Sequence, residues 1–180
     1  MKAGPFRAVV LIGPRGAGKS RLLPRVARGL GLRAIDTDAA LEVEAGEAVG
    51  SLLRRVGEAR FRELEASVAG SALRERRAAV ALGGGAPTIP SVAEALGAPD
   101  LFVVLLLAPW PVLASRIAGS PTDRPPLLGP TPESEVQALL AKRLPLYRSL
   151  ADLEVDTSVD TEEQCARKIV GALRSRLLAD

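Results

Sequence analysis

The segment Gly13 to Ser20, with the sequence GPRGAGKS, restricts the possible folds of this chain more than any other. It fits the phosphate-binding pattern G-x-x-x-x-G-K-[ST], and it lies between the apolar run Ala8 to Ile12 and a helix-like run at 19–30. Glycines allow a tight turn whose N–H groups, with the positive end of the following helix, attract an anion. The alternative is an ordinary glycine-rich turn, but the strand–loop–helix order favours a nucleotide site.

The side chains of this segment match the chemistry of ATP and Mg²⁺. Lys19 is expected to reach the β- and γ-phosphates of ATP, and the Ser20 hydroxyl is expected to hold the metal ion. The predicted ATP contacts in and beside the loop are Gly13, Arg15, Gly16, Ala17, Gly18, Lys19, Ser20 and Arg21.

The residue content limits the chemistry open to the chain. There is no histidine, which removes the usual general base near neutral pH. Phosphoryl transfer tolerates this lack, because it depends mainly on positioning and charge neutralisation. Cys165 is the only cysteine, so an internal disulfide is excluded and a reducing, cytoplasmic location is expected.

Charge and aromatic content argue against a nucleic-acid partner. The net charge is only +3, arginines alternate with acids as in Arg60 to Glu65, and aromatic residues make up 3% of the chain. These features predict solvated helix faces rather than a basic patch or a stacking platform. Because no apolar run reaches the length of a membrane span and no signal-peptide pattern is present, no membrane contact is expected.

Predicted strands and helices alternate along the chain. The strands are predicted at 6–12, 33–35, 78–82, 101–107 and 153–156. The helices are predicted at 19–30, 38–45, 47–56, 58–76, 90–97, 110–118, 133–149 and 161–178. This order predicts one α/β domain over residues 1–180, with three layers, a central parallel five-stranded sheet and ligands at the carboxyl ends of its strands. The proline-rich connection at about 119–132 is interpreted as a mobile lid.

Asp36-Thr37-Asp38 follows the second predicted strand. Alternate residues of an extended segment share a face, so both carboxylates are expected to point into one crevice. One carboxylate could then face the Mg²⁺ shell, and the other could accept a proton from a substrate hydroxyl. The alternative is a helix N-cap formed by the aspartate that precedes Ala39.

Three further clusters have both a structural and a functional interpretation. Arg62 is either a surface arginine with acidic neighbours or a ligand-binding cation. Gly83-Gly84-Gly85 is either a plain turn or a place where the backbone approaches a small ligand closely. Arg124, in the predicted lid, and Arg143, on the helix after it, are either solvated or grip a phosphoryl group and a carboxylate.

In this order, the clusters resemble the shikimate kinase family over about residues 6 to 175. The matching segments are Gly13 to Ser20, Asp36-Thr37-Asp38, Gly57-Glu58 with Phe61-Arg62 and Glu65, Gly83 to Gly85, Arg124-Pro125 with the leucines that follow, Arg143 with Pro145-Leu146-Tyr147, and Ala151 to Thr157. The resemblance implies a nucleoside monophosphate kinase-like P-loop fold with a mobile lid. It also implies transfer of the ATP γ-phosphoryl group to the 3-hydroxyl of shikimate by a cytoplasmic, monomeric enzyme of aromatic amino acid biosynthesis.

The resemblance assigns the main catalytic and substrate-binding roles. It implies that Lys19 and Arg124 neutralise the transferring phosphoryl group. It implies that Asp38 binds the substrate hydroxyls and is the candidate base. Arg62 and Arg143 would grip the substrate carboxylate.

Supporting roles follow from the same resemblance. Ser20 would ligate Mg²⁺ with Asp36 nearby, and the backbone of Gly83 to Gly85 would contact the substrate. Glu65 would orient one of the two carboxylate-binding arginines, and Arg116 would lie against the adenine. The substrate-binding helices would occupy about residues 38–76.

The chain departs from the family pattern at four positions. Arg21 stands where a threonine usually follows Gly-Lys-Ser, and a second proline, Pro126, follows the usual one in the lid. Leu53 replaces a frequent aromatic residue, and Pro87 follows the triple glycine where a small apolar residue is common. None of these changes removes a charged group that the chemistry needs.

Two other functions stay open on the sequence. A kinase for another small metabolite, such as gluconate or a nucleoside monophosphate, would share the loop and the sheet. It would not need two arginines arranged for a carboxylate beside Asp-x-Asp. A non-catalytic sensor of a small acid would be expected to have lost a phosphate-binding residue or to carry a DNA-binding segment.

Overall fold

The computed structural model describes residues 6–119 and 132–177. The strands are β1 Ala8–Ile12, β2 Arg33–Asp36, β3 Ala78–Ala81, β4 Leu101–Leu107 and β5 Leu153–Asp156. The helices are α1 Lys19–Leu30, α2 Thr37–Ala45, α3 Val49–Arg74, α4 Pro90–Leu96, α5 Trp110–Ala118, α6 Pro132–Leu150 and α7 Glu162–Leu177, and a 3₁₀ turn spans Ala86–Thr88.

The five strands form one parallel sheet in the order β2-β3-β1-β4-β5. The central strand β1 pairs with β3 on one side, Val9 opposite Ala79, and with β4 on the other, Val9 opposite Phe102. Both β1 and β4 are continuous apolar runs, as strands covered on two faces require. The predicted three-layer α/β fold with a parallel five-stranded sheet is confirmed.

Alternating side chains of the sheet feed two separate cores. Val9 and Leu11 of β1 pack with α1, α5 and α7, whereas Val10 and Ile12 pack with α3, α4 and α6. Successive side chains of a strand point to opposite faces, so each central strand stabilises both layers of helices. The carboxyl ends of the strands are left to carry the loops that form a site.

Glycines divide the first helical region at the predicted places. Gly46 ends α2 with a φ of 70°, and Gly57 interrupts α3 with a φ of 77° and a ψ of 165°. L-residues with side chains rarely adopt these values of φ. The expected separation of a 47–56 helix from a 58–76 helix is therefore a kink within α3. A small cluster that includes Leu41 and Phe61 packs α2 against α3.

The predicted lid at about 119–132 lies outside the described residues, apart from Gly119 and Pro132 at its ends. Arg124 is among the residues that are not described. Within the described ranges, none of the helices combines the length and the apolar character that a membrane crossing demands.

Candidate active site

The phosphate loop connects β1 to α1 through glycines with positive φ. Gly13, Gly16 and Gly18 have φ values of 139°, 80° and 88°. A Cβ atom on Gly13 would lie 2.2 Å from the carbonyl oxygen of Leu106, so this position also lacks space for a side chain. Gly18 is the N-cap of α1 and makes no side-chain cap hydrogen bond. The positive end of α1 therefore opens toward the cleft, as an anion site requires.

Lys19 folds back over this loop. Its Nζ donates hydrogen bonds to the carbonyl oxygens of Gly13 at 2.8 Å and Pro14 at 2.9 Å. These contacts hold the ammonium group above the loop, where phosphate oxygens would approach. Ser20 follows in the first turn of α1 and lines the same cleft.

A cleft of about 1010 Å³ extends from the phosphate loop along the carboxyl ends of the strands. Arg116, at the end of α5, lies in its wall and joins two segments. Its guanidinium donates to the carbonyl oxygen of Gly16 at 3.2 Å and to both oxygens of Thr157, Oγ1 at 2.9 Å and the carbonyl at 2.6 Å. The predicted adenine-contacting arginine is thus part of the nucleotide cleft.

Arg21 also lines the cleft, and its guanidinium pairs with Glu162 at the start of α7. The distance between Arg21 Nη1 and Glu162 Oε1 is 3.6 Å, and the Arg21 side chain is 81% exposed. At this exposure the ion pair contributes little to stability. The guanidinium can therefore turn toward a bound phosphate at small cost.

The two aspartates after β2 lie at a turn rather than on an extended segment. Asp36 ends β2, and its Oδ1 accepts the N–H groups of Asp38 at 3.0 Å and Ala39 at 3.3 Å, so it is the N-cap of α2. The expectation that Asp36 and Asp38 share the face of a strand is wrong, because α2 already begins at Thr37. Both aspartates still line the cleft, since the turn lies at the carboxyl edge of the sheet.

Thr37, between the two aspartates, is a residue that the sequence analysis assigned no role. It is buried; its hydroxyl donates to the carbonyl oxygen of Ala81 at 3.2 Å and accepts the N–H of Gly83 at 3.0 Å. This pair of bonds fastens the aspartate turn to the glycine turn that follows β3. Its small polar side chain between two acids was the only available signal.

The triple glycine is required by space and not by backbone angle. None of the three is among the described glycines with positive φ. A Cβ atom on Gly83 would lie 2.6 Å from Glu65 Oε1 and 2.8 Å from Asp38 Oδ1, and one on Gly85 would lie 2.1 Å from Arg62 Nη1. The glycine turn therefore gathers residues from α2 and α3 that are far apart in sequence.

Gly84 connects the glycine turn to the phosphate loop. A Cβ atom on Gly84 would lie 3.3 Å from the backbone nitrogen of Arg15. Gly84 and Asp38 also line the nucleotide cleft, whereas Arg62, Gly83 and Gly85 do not. These residues (Asp38, Arg62, Glu65 and Gly83 to Gly85), called the acceptor cluster below, thus lie beside the phosphate loop and share Asp38 and Gly84 with the cleft.

Arg62 is held by an acid beneath it. Its Nη1 lies 2.6 Å from Oε2 of Glu65, whose side chain is only 5% exposed, and its Nη2 lies 3.6 Å from Oε1 of Glu58. A buried carboxylate that accepts a charge-assisted hydrogen bond restricts the guanidinium to one orientation. The same Nη1 atom also lies against the glycine turn, since a Cβ atom on Gly85 would be 2.1 Å from it.

Arg143, on α6, reaches the same place through Tyr147. The Tyr147 ring is fully buried, and its hydroxyl donates to the carbonyl oxygen of Gly84 at 2.5 Å. Burial raises the pKa of this phenol, while a hydrogen bond and the positive charge from Arg143 lower it. The charges of Glu65 and Arg62 also act on the pKa of the Tyr147 phenol, with smaller effects than that of Arg143.

The oxygen donors present fit a magnesium ion that is shared with phosphates. Among the described residues, no group of three or more acidic, cysteine or histidine side chains could hold a metal by itself. Ser20 and Asp36 line one cleft and offer a hydroxyl and a carboxylate. Mg²⁺ is usually held by one or two protein oxygens together with phosphate oxygens and waters.

The parallel sheet, the phosphate loop and the adjoining acceptor cluster define a P-loop kinase of small molecules. A family model for shikimate kinase matches residues 15–174. The chain is 41% identical to a shikimate kinase of Halorhodospira halophila over 168 residues, 93% of this chain and 94% of the relative. It is 39% identical to a shikimate kinase of Mycobacterium leprae over 168 residues, 93% of this chain and 83% of the relative.

A solved structure agrees with these relatives. The shikimate kinase of Acinetobacter baumannii, in complex with shikimate, superposes with a TM-score of 0.89 at 30% identity and covers 96% of each chain. The chain belongs to the shikimate kinase family.

Proposed function

We propose that the chain transfers the γ-phosphoryl group of ATP to the 3-hydroxyl of shikimate and releases shikimate 3-phosphate and ADP. The observation that carries the proposal is the meeting of two arginines at the glycine turn beside Asp38. Arg62 lies against Gly85, and Arg143 lies near the Tyr147 hydroxyl, which is bonded to Gly84. Membership of the shikimate kinase family supports the same acceptor.

The donor side of the reaction needs charge neutralisation more than base strength. The loop amides and Lys19 would bind the β- and γ-phosphates, and Arg124 would close over the transferring group. Ser20 and Asp36 would hold Mg²⁺, which would neutralise phosphate charge when bound. Arg116 would contact the nucleotide base from the opposite wall of the cleft.

The acceptor side requires a hydroxyl that is aimed at the γ-phosphorus. Asp38 Oδ1 would accept the proton of the substrate 3-hydroxyl. The hydroxyl oxygen would form a bond to the γ-phosphorus as the bond from this phosphorus to the ADP oxygen breaks. The two arginines would bind the acceptor carboxylate in fork geometry, which fixes the distance of the hydroxyl from the donor. The Gly83 to Gly85 backbone would allow this close approach.

The proposal extends to the organisation of the chain. Residues 1–180 would act as one domain and as a monomer in the cytoplasm, with substrate-binding helices at about 38–76 and a lid at about 119–132. Asp38, Arg62 and Glu65 lie within the first of these ranges.

An acceptor panel tests the activity. ADP release is measured with shikimate, gluconate and nucleoside monophosphates, and the product is identified by its mass. We expect turnover with shikimate alone. Turnover only with gluconate or a nucleotide would assign another kinase activity, and tight shikimate binding without any turnover would assign a sensor.

The Asp38→Asn variant tests the catalytic assignment. Loss of the proton acceptor is expected to reduce kcat by about 10²- to 10⁴-fold while ATP affinity stays within about twofold of wild type. Glu44→Gln is the control, because Glu44 is an exposed acid on the same helix. Near-normal kcat in Asp38→Asn would refute the assigned role.

A further inference from the structure

Tyr147 is the only tyrosine of the chain, and its side chain is fully buried. Its hydroxyl donates to the carbonyl oxygen of Gly84 at 2.5 Å, and the Arg143 guanidinium lies near enough to lower the pKa of the phenol through its charge and through hydrogen bonding. A phenylalanine ring would fill the same space, so core packing by itself does not require the hydroxyl. The presence of the hydroxyl is explained by its interactions with the Gly84 carbonyl and the Arg143 guanidinium.

Both groups belong to the proposed acceptor site. The peptide unit between Gly84 and Gly85 is planar, so holding the Gly84 carbonyl also fixes the Gly85 N–H, which points to the opposite side. Gly85 in turn lies against the Arg62 guanidinium. The bond from the phenol to Gly84 therefore fixes a backbone amide that lies next to Arg62.

We propose that Tyr147 is a positioning residue for the acceptor, because its hydroxyl keeps the Arg143 guanidinium and the Gly84–Gly85 peptide in the orientation that binds the substrate carboxylate. This inference rests on the proposed function, which has the carboxylate bound between these groups. Tyr147 itself touches no substrate atom. It acts through its two hydrogen-bonded partners.

The protonation state of the phenol suits this role. Burial is the largest influence on the pKa of Tyr147 and raises it, so the hydroxyl keeps its proton at neutral pH. A protonated phenol can donate one hydrogen bond and accept another at the same time. A phenylalanine at this position would retain the ring and lose both bonds.

The Tyr147→Phe variant is the direct test. We expect the KM for shikimate to rise about tenfold, the equivalent of one lost hydrogen bond to a charged group, while the KM for ATP stays within about twofold. The control is Leu96→Ala, which opens a cavity in the same core layer. We expect this variant to lower the melting temperature without raising the KM for shikimate.

A double-mutant cycle separates positioning from general destabilisation. Because Tyr147 is proposed to act partly through Arg143, we expect Tyr147→Phe to raise the KM for shikimate by a smaller factor in the Arg143→Ala background than in the wild-type background. The rise that remains in that background measures the effect through the Gly84–Gly85 peptide. Effects that multiply, an unchanged KM in Tyr147→Phe, or an equal rise in both substrates' KM would each overturn the proposal. Absence of shikimate turnover in the wild-type protein would instead refute the proposed function.

Fluorotyrosine incorporation provides a second test that leaves the ring and the hydroxyl in place. Because Tyr147 is the only tyrosine, biosynthetic labelling produces one fluorine resonance. We expect shikimate to shift this resonance and ATP to leave it unchanged. The shift should become smaller in Arg143→Ala at a saturating shikimate concentration. A resonance that does not respond to shikimate in the wild-type protein would overturn the inference, even if Tyr147→Phe does not fold.

Discussion

Two ion pairs on α3 have the same spacing and the same length but different surroundings. Arg60 Nη1 lies 2.6 Å from Glu63, and Arg62 Nη1 lies 2.6 Å from Glu65, three residues along the helix in each case. The first pair has side chains that are 60% and 64% exposed, whereas those of the second are 24% and 5% exposed. Arg62→Ala and Arg60→Ala therefore form a matched pair of perturbations.

The expected costs follow from this difference in exposure. An exposed ion pair contributes about 0–1 kcal/mol, so Arg60→Ala should change the free energy of unfolding by no more than that. Breaking a buried pair costs about 3–5 kcal/mol, because a charge stays buried without its partner. Since Arg62 is partly exposed, we expect about 2–3 kcal/mol for Arg62→Ala. The two variants should then differ by about 4–8 °C in melting temperature.

Urea unfolding and steady-state kinetics measure the two consequences. Arg62→Ala should unfold at a lower urea midpoint with an unchanged slope, and its KM for shikimate should rise at least about tenfold. Arg60→Ala should match wild type in KM. If the two variants lose equal stability, the argument from burial is wrong, and if Arg62→Ala keeps a normal KM, the carboxylate-binding role is wrong.

Further substitutions test other parts of the site. Gly85→Ala puts a Cβ atom 2.1 Å from Arg62 Nη1, so it should raise the KM for shikimate at least about tenfold. A normal KM for shikimate would show that the guanidinium can move away without any effect on substrate binding. Arg116→Ala should raise the KM for ATP and leave the KM for shikimate unchanged. Steady-state kinetics with each substrate varied in turn measures the two values separately. Burial raises the pKa of Tyr147, so above pH of about 10 the unfolded chain loses a proton that the folded chain keeps, and stability present at lower pH declines. Tyr147→Phe should therefore lose stability less steeply than wild type above this pH in thermal unfolding, whereas Arg143→Ala should raise the pKa of Tyr147 in a tyrosinate absorbance titration.

The order of strands and helices was predictable because it depends on patterns within short stretches of sequence. Buried strands such as β4 are continuous apolar runs, and Gly46 and Gly57 interrupt helices where their φ is positive. The phosphate loop was predictable for the same reason, since its eight residues contain both the turn and the cation. The prediction that Asp36 and Asp38 lie on an extended segment was wrong because the start of α2 was misplaced. Asp36 caps α2, and the helix begins at Thr37, one residue earlier than expected.

The partners of the site residues were not predictable from spacing. Tyr147 and Gly84 are 63 residues apart, and Thr37 and Gly83 are 46 apart, yet each pair is hydrogen-bonded. Contacts at such separations depend on which strands are neighbours and on how the helices pack across them. The roles of Thr37 and Tyr147 were missed for this reason, although both residues stand inside segments that the sequence analysis selected.

By itself, the sequence determined a nucleotide-binding α/β chain, because a loop of eight residues and alternating apolar runs act over distances of a few residues. The tertiary structure decided the strand order, in which β1 lies between β3 and β4, and thereby brought the glycine turn against Asp38, Glu65 and Arg62. The tertiary structure also explains why Gly83 and Gly85 are glycines, because side chains from α2 and α3 occupy the space that a Cβ atom would need.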